Sequence, residues 1–394
     1  MIDYSKYLNK KVLNLKPSGI RRFFDIVNEM KDAISLGVGE PDFVTPWFMR
    51  NAAIKSIQKG HTQYTSNSGI LELRELISRY LSEKYLLSYD PKSEIIITVG
   101  ASEAIDLAMR ALIGKDDEVI VPDPSYVSYF PCVSLCDGKP VSINCTAENG
   151  FILTPEAIES VISEKTKLII IPYPNNPTGG IMTKEQLEAI VPVIIKHDLI
   201  VLTDEIYGEL TYGSNHCSIA SLPGMRERTI VVSGFSKAFA MTGWRLGYLA
   251  APKELCSALL KIHQYTIMCA PTCSQYAAIE ALKEGFKDNF SSVRAMNEEY
   301  DKRRRFLVLR LNEMGLKCFE PKGAFYAFPS VRATGLSGEE FSLKLLDKEK
   351  VAVVPGSAFG DSGKDFVRIS YAYSMKAIDE ALNRIERFVA SIIK

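Results

Sequence analysis

Residues 229–239 read Thr-Ile-Val-Val-Ser-Gly-Phe-Ser-Lys-Ala-Phe, an apolar, β-branched run followed by small and polar residues. The run Thr229–Val232 is typical of a buried strand, because strands covered on both faces lack polar interruptions. Lys237 comes shortly after this strand. Ligands gather at the carboxyl ends of strands in open α/β sheets, so Lys237 is a candidate site residue, although most lysines are simply solvated.

Other apolar runs of the same kind precede this strand. Helical periodicity lies between several of them, and Thr154 and Thr183 fit the patterns of helix N-caps. Short buried strands that alternate with helices predict an α/β fold whose mostly parallel sheet is covered by helices. The runs are Ile95–Val99, Val119–Val121, Leu168–Ile171 and Ile200–Thr203.

The C-terminal part of the chain has a different pattern. Two predicted strands, Val351–Pro355 and Phe366–Tyr371, flank a glycine-rich turn, and an amphipathic helix begins near Ser374. This order predicts a smaller α+β domain. We therefore expect a large domain over residues 48–280 and a small domain formed by residues 1–47 and 281–394.

Composition limits the classes of function. The 394 residues include 47 basic and 47 acidic ones, a balance that argues against nucleic-acid or acidic-membrane binding. The N-terminus lacks the apolar core of a signal peptide and no apolar stretch can cross a bilayer, so a cytoplasmic protein is expected. Eight cysteines and four scattered histidines favour free thiols over a metal site or disulfides.

Chemically distinct side chains at strand ends and in turns form an ordered set around Lys237. A lysine can form an imine with an aldehyde, and a carboxylate can keep a ring nitrogen protonated. A phenol and an amide can bond a ring oxygen, and a guanidinium can bind a phosphate. These groups together suit pyridoxal 5′-phosphate (PLP). In chain order the set is Asn176, Asp204, Tyr207, Lys237 and Arg245.

Further residues fit the same cofactor, each with an ordinary alternative. Gly100, Ala101 and Ser102 join a strand to a helix whose N-terminus suits a phosphate, although Ser is a common N-cap. Tyr126 could stack on an aromatic ring. Arg368 interrupts an apolar strand, where it could bind a substrate carboxylate or form an internal salt bridge.

These motifs together resemble the class I/II aminotransferases, which are PLP enzymes of fold type I. The resemblance covers nearly the whole chain and is closest to the bacterial and archaeal subgroup of aspartate and aromatic aminotransferases. The motifs that carry it are Leu36-Gly37-Val38-Gly39-Glu40-Pro41-Asp42-Phe43, Tyr64-Thr65 with Gly69, Asn176-Pro177-Thr178-Gly179, Asp204-Glu205 with Tyr207, Ser236-Lys237, Gly243-Trp244-Arg245, Gly323-Ala324-Phe325-Tyr326 and Arg368-Ile369-Ser370.

The resemblance implies a role for each matching residue. Lys237 would hold PLP as an imine, and Asp204 would meet its ring nitrogen. The substrate carboxylate would meet Arg368, Gly37 and Asn176. The other cofactor contacts that it implies are Asn176 and Tyr207 at the ring oxygen, Tyr126 stacked on the ring, Ala101, Ser102, Ser236 and Arg245 at the phosphate, and Tyr64 reaching in from the partner subunit of a homodimer.

The expected reaction is transfer of an amino group from an L-amino acid to a 2-oxo acid, with Lys237 moving the α-proton. Another PLP reaction on the same fold, a C–S β-lyase, is the alternative. A PLP-binding regulator is a weaker one, because the roughly 35 residues before Leu36 are too few for a DNA-binding module.

Two positions depart from the family pattern. Gly234 stands where many relatives have Ser or Thr, so one phosphate-binding hydroxyl is missing. Ser102 stands where some bacterial aspartate aminotransferases have Lys, which argues against a preference for aspartate. Arg21 and Arg22 near the entrance could meet an acidic substrate or face water, so the donor stays open.

Overall fold

The computed structural model describes residues 2–15 and 32–393. Its helices are α1 (Lys10–Asn14), α2 (Trp47–Gln58), α3 (Leu71–Tyr85), α4 (Gly100–Leu112), α5 (Tyr129–Leu135), α6 (Pro155–Glu159), α7 (Lys184–Lys196), α8 (Lys253–Thr266), α9 (Thr272–Asp288), α10 (Ser291–Glu313), α11 (Gly338–Glu349) and α12 (Met375–Ile392). Its strands are β1 (Ile34–Ser35), β2 (Ile95–Thr98), β3 (Glu118–Asp123), β4 (Lys139–Asn144), β5 (Thr166–Ile171), β6 (Ile200–Asp204), β7 (Thr229–Gly234), β8 (Gly247–Ala250), β9 (Tyr326–Ala327), β10 (Val351–Ala352), β11 (Val354–Pro355) and β12 (Val367–Ser370).

A seven-stranded sheet forms the centre of the fold, in the order β2-β8-β7-β6-β5-β3-β4. Strands β3 to β7 pair in parallel, whereas β8 runs antiparallel to both β2 and β7. The prediction of a mostly parallel sheet is therefore confirmed. The antiparallel strand β8 was not predicted, because its four residues contain no signal for direction.

Helices cover this sheet on both faces. Successive strand residues point to opposite sides. Ile96 and Val119 pack on one side with α4 and α8, whereas Ile97 lies on the other side with α3 and α9, and Ile120 with α7. Strands β2 and β3 are buried at every residue as a result, which explains their apolar runs Ile95–Ile97 and Val119–Val121.

Helix ends follow the capping patterns in the sequence. Thr154 accepts a hydrogen bond from the N–H of Ala157, and Thr183 forms a capping box with Gln186. Ser374 caps α12, as expected. One boundary differs from the prediction: α4 begins at Gly100 and not near Ser102, so all three residues of the Gly-Ala-Ser turn belong to the first helical turn.

A second core joins the two ends of the described chain. Strand β1 pairs in parallel with β10, where Ile34 lies opposite Val351. The small antiparallel sheet β11-β12-β9 packs beside it, covered by α10, α11 and α12. The predicted strand Val351–Pro355 is divided into β10 and β11 at Val353. Of the helices described, none combines the length and the apolar character that crossing a membrane requires.

The carboxyl ends of β6 and β7 and the N-terminus of α4 meet at one edge of the large sheet. Strand β6 ends at Asp204, and β7 ends at Gly234, shortly before Lys237. Parallel neighbours place these ends side by side. The second core lies against the same edge, since the hydroxyl of Tyr326 on β9 is 2.8 Å from that of Tyr207. Residues that are distant in the chain therefore surround one cavity.

Candidate active site

A cavity of about 600 Å³ lies where the two cores meet. Most of the residues singled out from the sequence line it. Gly37 and Gly100 contact lining residues without facing the cavity themselves. The predicted residues that line it are Ala101, Ser102, Tyr126, Asn176, Asp204, Tyr207, Ser236, Lys237, Arg245 and Arg368.

Asp204 is a buried carboxylate that lines this cavity. The hydroxyl of Tyr129 donates to its Oδ2 at 2.8 Å, and the N–H of Ile206 donates to its Oδ1 at 3.2 Å. Burial nevertheless raises the pKa of Asp204 from 3.8 to about 6, because the two hydrogen bonds only partly replace lost hydration. The carboxylate would therefore gain from a cationic ligand group.

Lys237 faces the cavity from the turn after β7. Its Nζ donates to the carbonyl oxygen of Gly39 at 2.6 Å. Burial lowers the pKa of Lys237 from 10.5 to about 8, although the Glu40 carboxylate opposes this effect. An amine with such a pKa is partly unprotonated near neutral pH, so it can act as a nucleophile or as a base.

The turn after Lys237 contains two residues in an unusual backbone conformation. Ala240 and Arg245 both have positive φ, 52° and 50°, in the left-handed region that residues other than glycine rarely adopt. Such conformations persist only where the surrounding structure enforces them, and they cluster at functional sites. Here they return the chain so that both Lys237 and Arg245 reach the cavity.

The N-terminus of α4 and the guanidinium of Arg245 form one wall. No side chain caps this helix, which leaves N–H groups of its first turn available. Arg245 lies so close that a Cβ at Gly100 would be 2.6 Å from its Nη2. Ser236 lines the same wall. Free N–H groups, the helix dipole and a guanidinium together suit a phosphate.

Arg368 on β12 is a buried guanidinium, 3% exposed. Its Nη1 donates to Oδ1 of Asn176 at 2.9 Å, and its Nη2 donates to the carbonyl oxygen of Gly37 at 2.6 Å. Within residues 2–15 and 32–393, no carboxylate lies within 4.0 Å of it, and its Nε has no partner. The described residues thus contain no internal salt bridge for Arg368, and the site suits an external anion.

Two tyrosines of the site were given no role from the sequence. Tyr129 bonds Asp204, and Tyr326 lies within hydrogen-bonding distance of Tyr207. Tyr129 is one of 18 tyrosines and carries no signal of its own in the sequence. Tyr326 lies in the Gly-Ala-Phe-Tyr motif, and this motif is the feature of the sequence that could have identified it as a site residue.

The remaining candidates lie elsewhere. Tyr64 is 79% exposed and does not line the cavity of its own chain. Arg21 and Arg22 lie outside the described residues.

The departure from the family pattern at Gly234 has a structural reason. A Cβ at this position would lie 2.8 Å from Cα of Gly247, so the close pairing of β7 with β8 leaves no room for the Ser or Thr side chain that many relatives have there.

The chain is similar to aminotransferases over nearly its whole length. The sequence model of the family described as aminotransferase class I and II matches residues 31–385. YugH, a Bacillus subtilis protein whose name assigns it only to the aminotransferases, is 54% identical over 98% of this chain and 99% of its own. The aspartate aminotransferase of Pyrococcus abyssi is 46% identical over 95% and 96%. The crystal structure of an aromatic aminotransferase from Pyrococcus horikoshii is 45% identical, with a TM-score of 0.89 over 94% of this chain and 99% of its own.

The burial of Asp204 predicts a pH-dependent contribution to stability. Its pKa is about 6 in the folded chain against an ordinary 3.8, so ionisation is harder after folding. The cost is small below about pH 4, grows between about pH 4 and pH 6, and levels off at roughly 3 kcal/mol above about pH 6. Asp204→Asn cannot ionise, so the stability of the cofactor-free variant relative to the cofactor-free wild type should be about 2 to 3 kcal/mol more favourable at about pH 7.5 than at about pH 4.

Urea denaturation at both pH values measures this difference. Asp198→Asn is the matched control, because that side chain is 91% exposed, and it should change the free energy of unfolding little at either pH. A difference between Asp204→Asn and wild type that stays constant with pH would contradict the assignment.

Proposed function

Since the chain belongs to the class I and II aminotransferases and is a PLP-dependent transaminase, we propose that it reacts in the cavity around Lys237 and binds its substrates through Arg368. Its reaction moves an amino group between an amino acid and a 2-oxo acid. No contact in the described residues favours the β-lyase alternative over transamination.

The charges of the cavity match the parts of PLP. When bound, PLP supplies an aldehyde that bonds to amines and a protonated ring that accepts electrons from carbon. Lys237 would bond the aldehyde, and Asp204 would face the ring nitrogen. Arg245 and the uncapped α4 would hold the phosphate. The further contacts that we propose are Tyr207 and Asn176 at the ring oxygen, Tyr126 on the ring face, and Gly100, Ala101, Ser102 and Ser236 around the phosphate.

Lys237 is the proposed base. Its pKa of about 8 means that a useful fraction of the amine is unprotonated at neutral pH. Nζ can then take a proton from the substrate α-carbon and return it to the bound molecule. The hydrogen bond to the carbonyl oxygen of Gly39 holds this nitrogen at the cavity wall when it is not bonded to the cofactor.

The buried guanidinium of Arg368 is the main evidence that the substrates are carboxylates. Asn176 and Gly37 hold two of its nitrogens, and aromatic rings cover its faces. A guanidinium in this setting gains most from a planar anion that accepts two parallel hydrogen bonds. The α-carboxylate that all amino acids and 2-oxo acids share is such an anion.

The walls of the cavity favour an uncharged substrate side chain. Among the described residues, the basic side chains that line it are Lys237, Arg245 and Arg368, and all three have proposed roles. Ser102 offers no charge for a second carboxylate, and Val38 and Tyr126 add apolar and aromatic surface. We therefore propose that aspartate is not a privileged donor, although one relative named above is an aspartate aminotransferase.

The active unit is proposed to be a homodimer. Tyr64 projects from an exposed loop with 79% of its surface accessible, and Val44 and Trp47 nearby in the sequence are also exposed, at 71% and 60%. Large exposed apolar side chains are typical of protein interfaces, and two-fold dimers are the commonest assembly. Tyr64 would then reach the phosphate of the partner's cofactor.

Arg368→Lys should lower the activity with all amino donors to a similar extent. A lysine keeps the charge but cannot form two parallel hydrogen bonds, so kcat/KM should fall about 10- to 100-fold for every amino acid. A panel of aspartate, phenylalanine and leucine with 2-oxoglutarate measures the effect. Arg332→Lys is the control, because Arg332 is 68% exposed. A loss confined to one donor would make Arg368 a specificity residue instead.

Ser102→Lys should shift preference towards aspartate. The new ammonium would face the cavity and pair with the second carboxylate, so the aspartate-to-phenylalanine ratio of kcat/KM should rise roughly ten-fold. Ser102→Met, of similar length without charge, should leave that ratio low. If the wild type already prefers aspartate by about 100-fold, which is roughly 2.7 kcal/mol, the proposed donor class is wrong.

Mixed dimers test whether Tyr64 crosses the interface. Lys237→Ala and Tyr64→Ala chains are mixed under limiting PLP, after dissociation and reassembly. Random pairing makes about half of the dimers mixed, and each would contain one site with both residues intact, so about a quarter of all sites should recover. Mixing Lys237→Ala with Arg245→Ala is the control. Both of these residues line one cavity of a single chain, so no site becomes intact. Equal recovery in the two mixtures would reject the crossing of Tyr64.

A further inference from the structure

Tyr326 on β9 touches both proposed binding sites of the cavity. The residue is 1% exposed. Its hydroxyl lies 2.8 Å from the hydroxyl of Tyr207, and its ring centre lies 4.4 Å from the guanidinium carbon of Arg368. One side chain thus joins a phenol proposed to face the cofactor to the guanidinium proposed to face the substrate.

We infer that Tyr326 is a positioning residue with two separable functions: its hydroxyl directs the proton of Tyr207 towards the cofactor, and its ring holds the plane of Arg368 for the substrate carboxylate. This inference rests on the proposed roles of Tyr207 and Arg368. It assigns Tyr326 no direct contact with the reacting atoms.

The first function follows from counting protons. Each phenol has one proton, and the contact between the two oxygens of Tyr207 and Tyr326 uses one of them. Burial raises the pKa of both hydroxyls, so both protons are present at neutral pH. If Tyr207 donates to a ring oxygen of the cofactor, the proton of Tyr326 must fill the contact between the phenols. Tyr207 then becomes the stronger donor, because hydrogen bonds in a chain polarise one another.

The second function, orienting Arg368, follows from the aromatic rings that contact its guanidinium. The guanidinium carbon lies 4.4 Å from the ring centre of Tyr326 and 4.8 Å from that of Phe359. These rings hold the guanidinium by cation–π attraction, which is stronger for a buried cation than for an exposed one. Asn176 and Gly37 bond its edge but do not restrain its faces. Without the ring of Tyr326, the guanidinium could tilt and lose the paired geometry.

Gly39 offers an independent way to move the hydroxyl. A Cβ at position 39 would overlap the Tyr326 hydroxyl, whereas the Cζ beneath that oxygen would be 3.4 Å away, an ordinary contact. Gly39→Ala therefore collides with a tyrosine at 326 but fits a phenylalanine. The carbonyl oxygen of Gly39, which accepts from Lys237, is retained in this variant.

Two variants of Tyr326 separate its functions. Tyr326→Phe removes the hydroxyl, and Tyr326→Leu removes the ring as well. The visible absorption of bound PLP, titrated with pH, reports the donor to the ring oxygen. A phenol that donates to this oxygen stabilises its anionic form, so a weaker donor raises the pH midpoint. Binding of 3-phenylpropanoate, a carboxylate without an amino group, reports the geometry of Arg368.

Tyr326→Phe should raise the absorption midpoint by roughly half a pH unit and leave the Kd for 3-phenylpropanoate within about two-fold. Tyr326→Leu should add an increase in this Kd of about five-fold. Tyr300→Phe is the control, since Tyr300 is fully buried in the same core and its hydroxyl has no partner among the described residues. An unchanged midpoint in Tyr326→Phe overturns the first function. Equal Kd values in the two Tyr326 variants overturn the second.

The pair of Gly39→Ala and Tyr326→Phe tests the first function a second time, and it does not depend on whether Tyr326→Leu folds. Gly39→Ala alone should raise the midpoint as Tyr326→Phe does, and should add nothing in the Tyr326→Phe background. Shifts that add would show that the contact with the hydroxyl is not their cause, which overturns the inference.

Tyr207→Phe and Arg368→Lys serve as reference variants. If Tyr207→Phe leaves the absorption midpoint unchanged, or Arg368→Lys leaves the Kd for 3-phenylpropanoate unchanged, the proposed site itself is wrong. If both reference variants respond while the Tyr326 variants match wild type, the inference about Tyr326 alone is overturned.

Discussion

The cavity depends on one electrostatic constraint: its charged groups are buried before any ligand supplies their partners. Burial raises the pKa of Asp204 to about 6 and lowers that of Lys237 to about 8, so the same loss of water drives both groups towards neutrality. The guanidinium of Arg368 is buried without a carboxylate partner among the described residues. These costs oppose folding, so they are tolerable only where the rest of the chain contributes a large core.

The fold brings these charges together because parallel strands end at the same edge of a sheet. This part could be predicted from the sequence, since the apolar runs that end before Asp204 and Lys237 are local and unbroken. The partners from other elements could not be predicted in this way. Tyr129 comes from the helix after β3, and Tyr326 comes from the second core. Their positions depend on how distant segments pack, and no periodicity in the chain encodes that.

The second core also shows that local sequence patterns predict elements but not the contacts between distant segments. Local patterns indicated strands and a terminal helix after residue 350, and these are observed. They placed residues 1–47 in the same domain as residues 281–394, but they did not indicate that Ile34 pairs with Val351. The division into domains at residues 48 and 280 stays a prediction. The departure at Gly234, in contrast, has a direct structural reason, because β8 approaches the β7 backbone too closely for a side chain.

The arrangement of charge also explains why ligand binding and folding should reinforce each other. A ligand with a cationic ring nitrogen, a phosphate and a carboxylate would place an opposite charge beside Asp204, Arg245 and Arg368 in turn. Each contact would restore an interaction that burial had removed, and the raised pKa of Asp204 would fall again beside the cation. Because such a ligand binds only the folded chain, its binding free energy adds to stability. The charges that make the empty site costly are therefore the ones that make the occupied site specific.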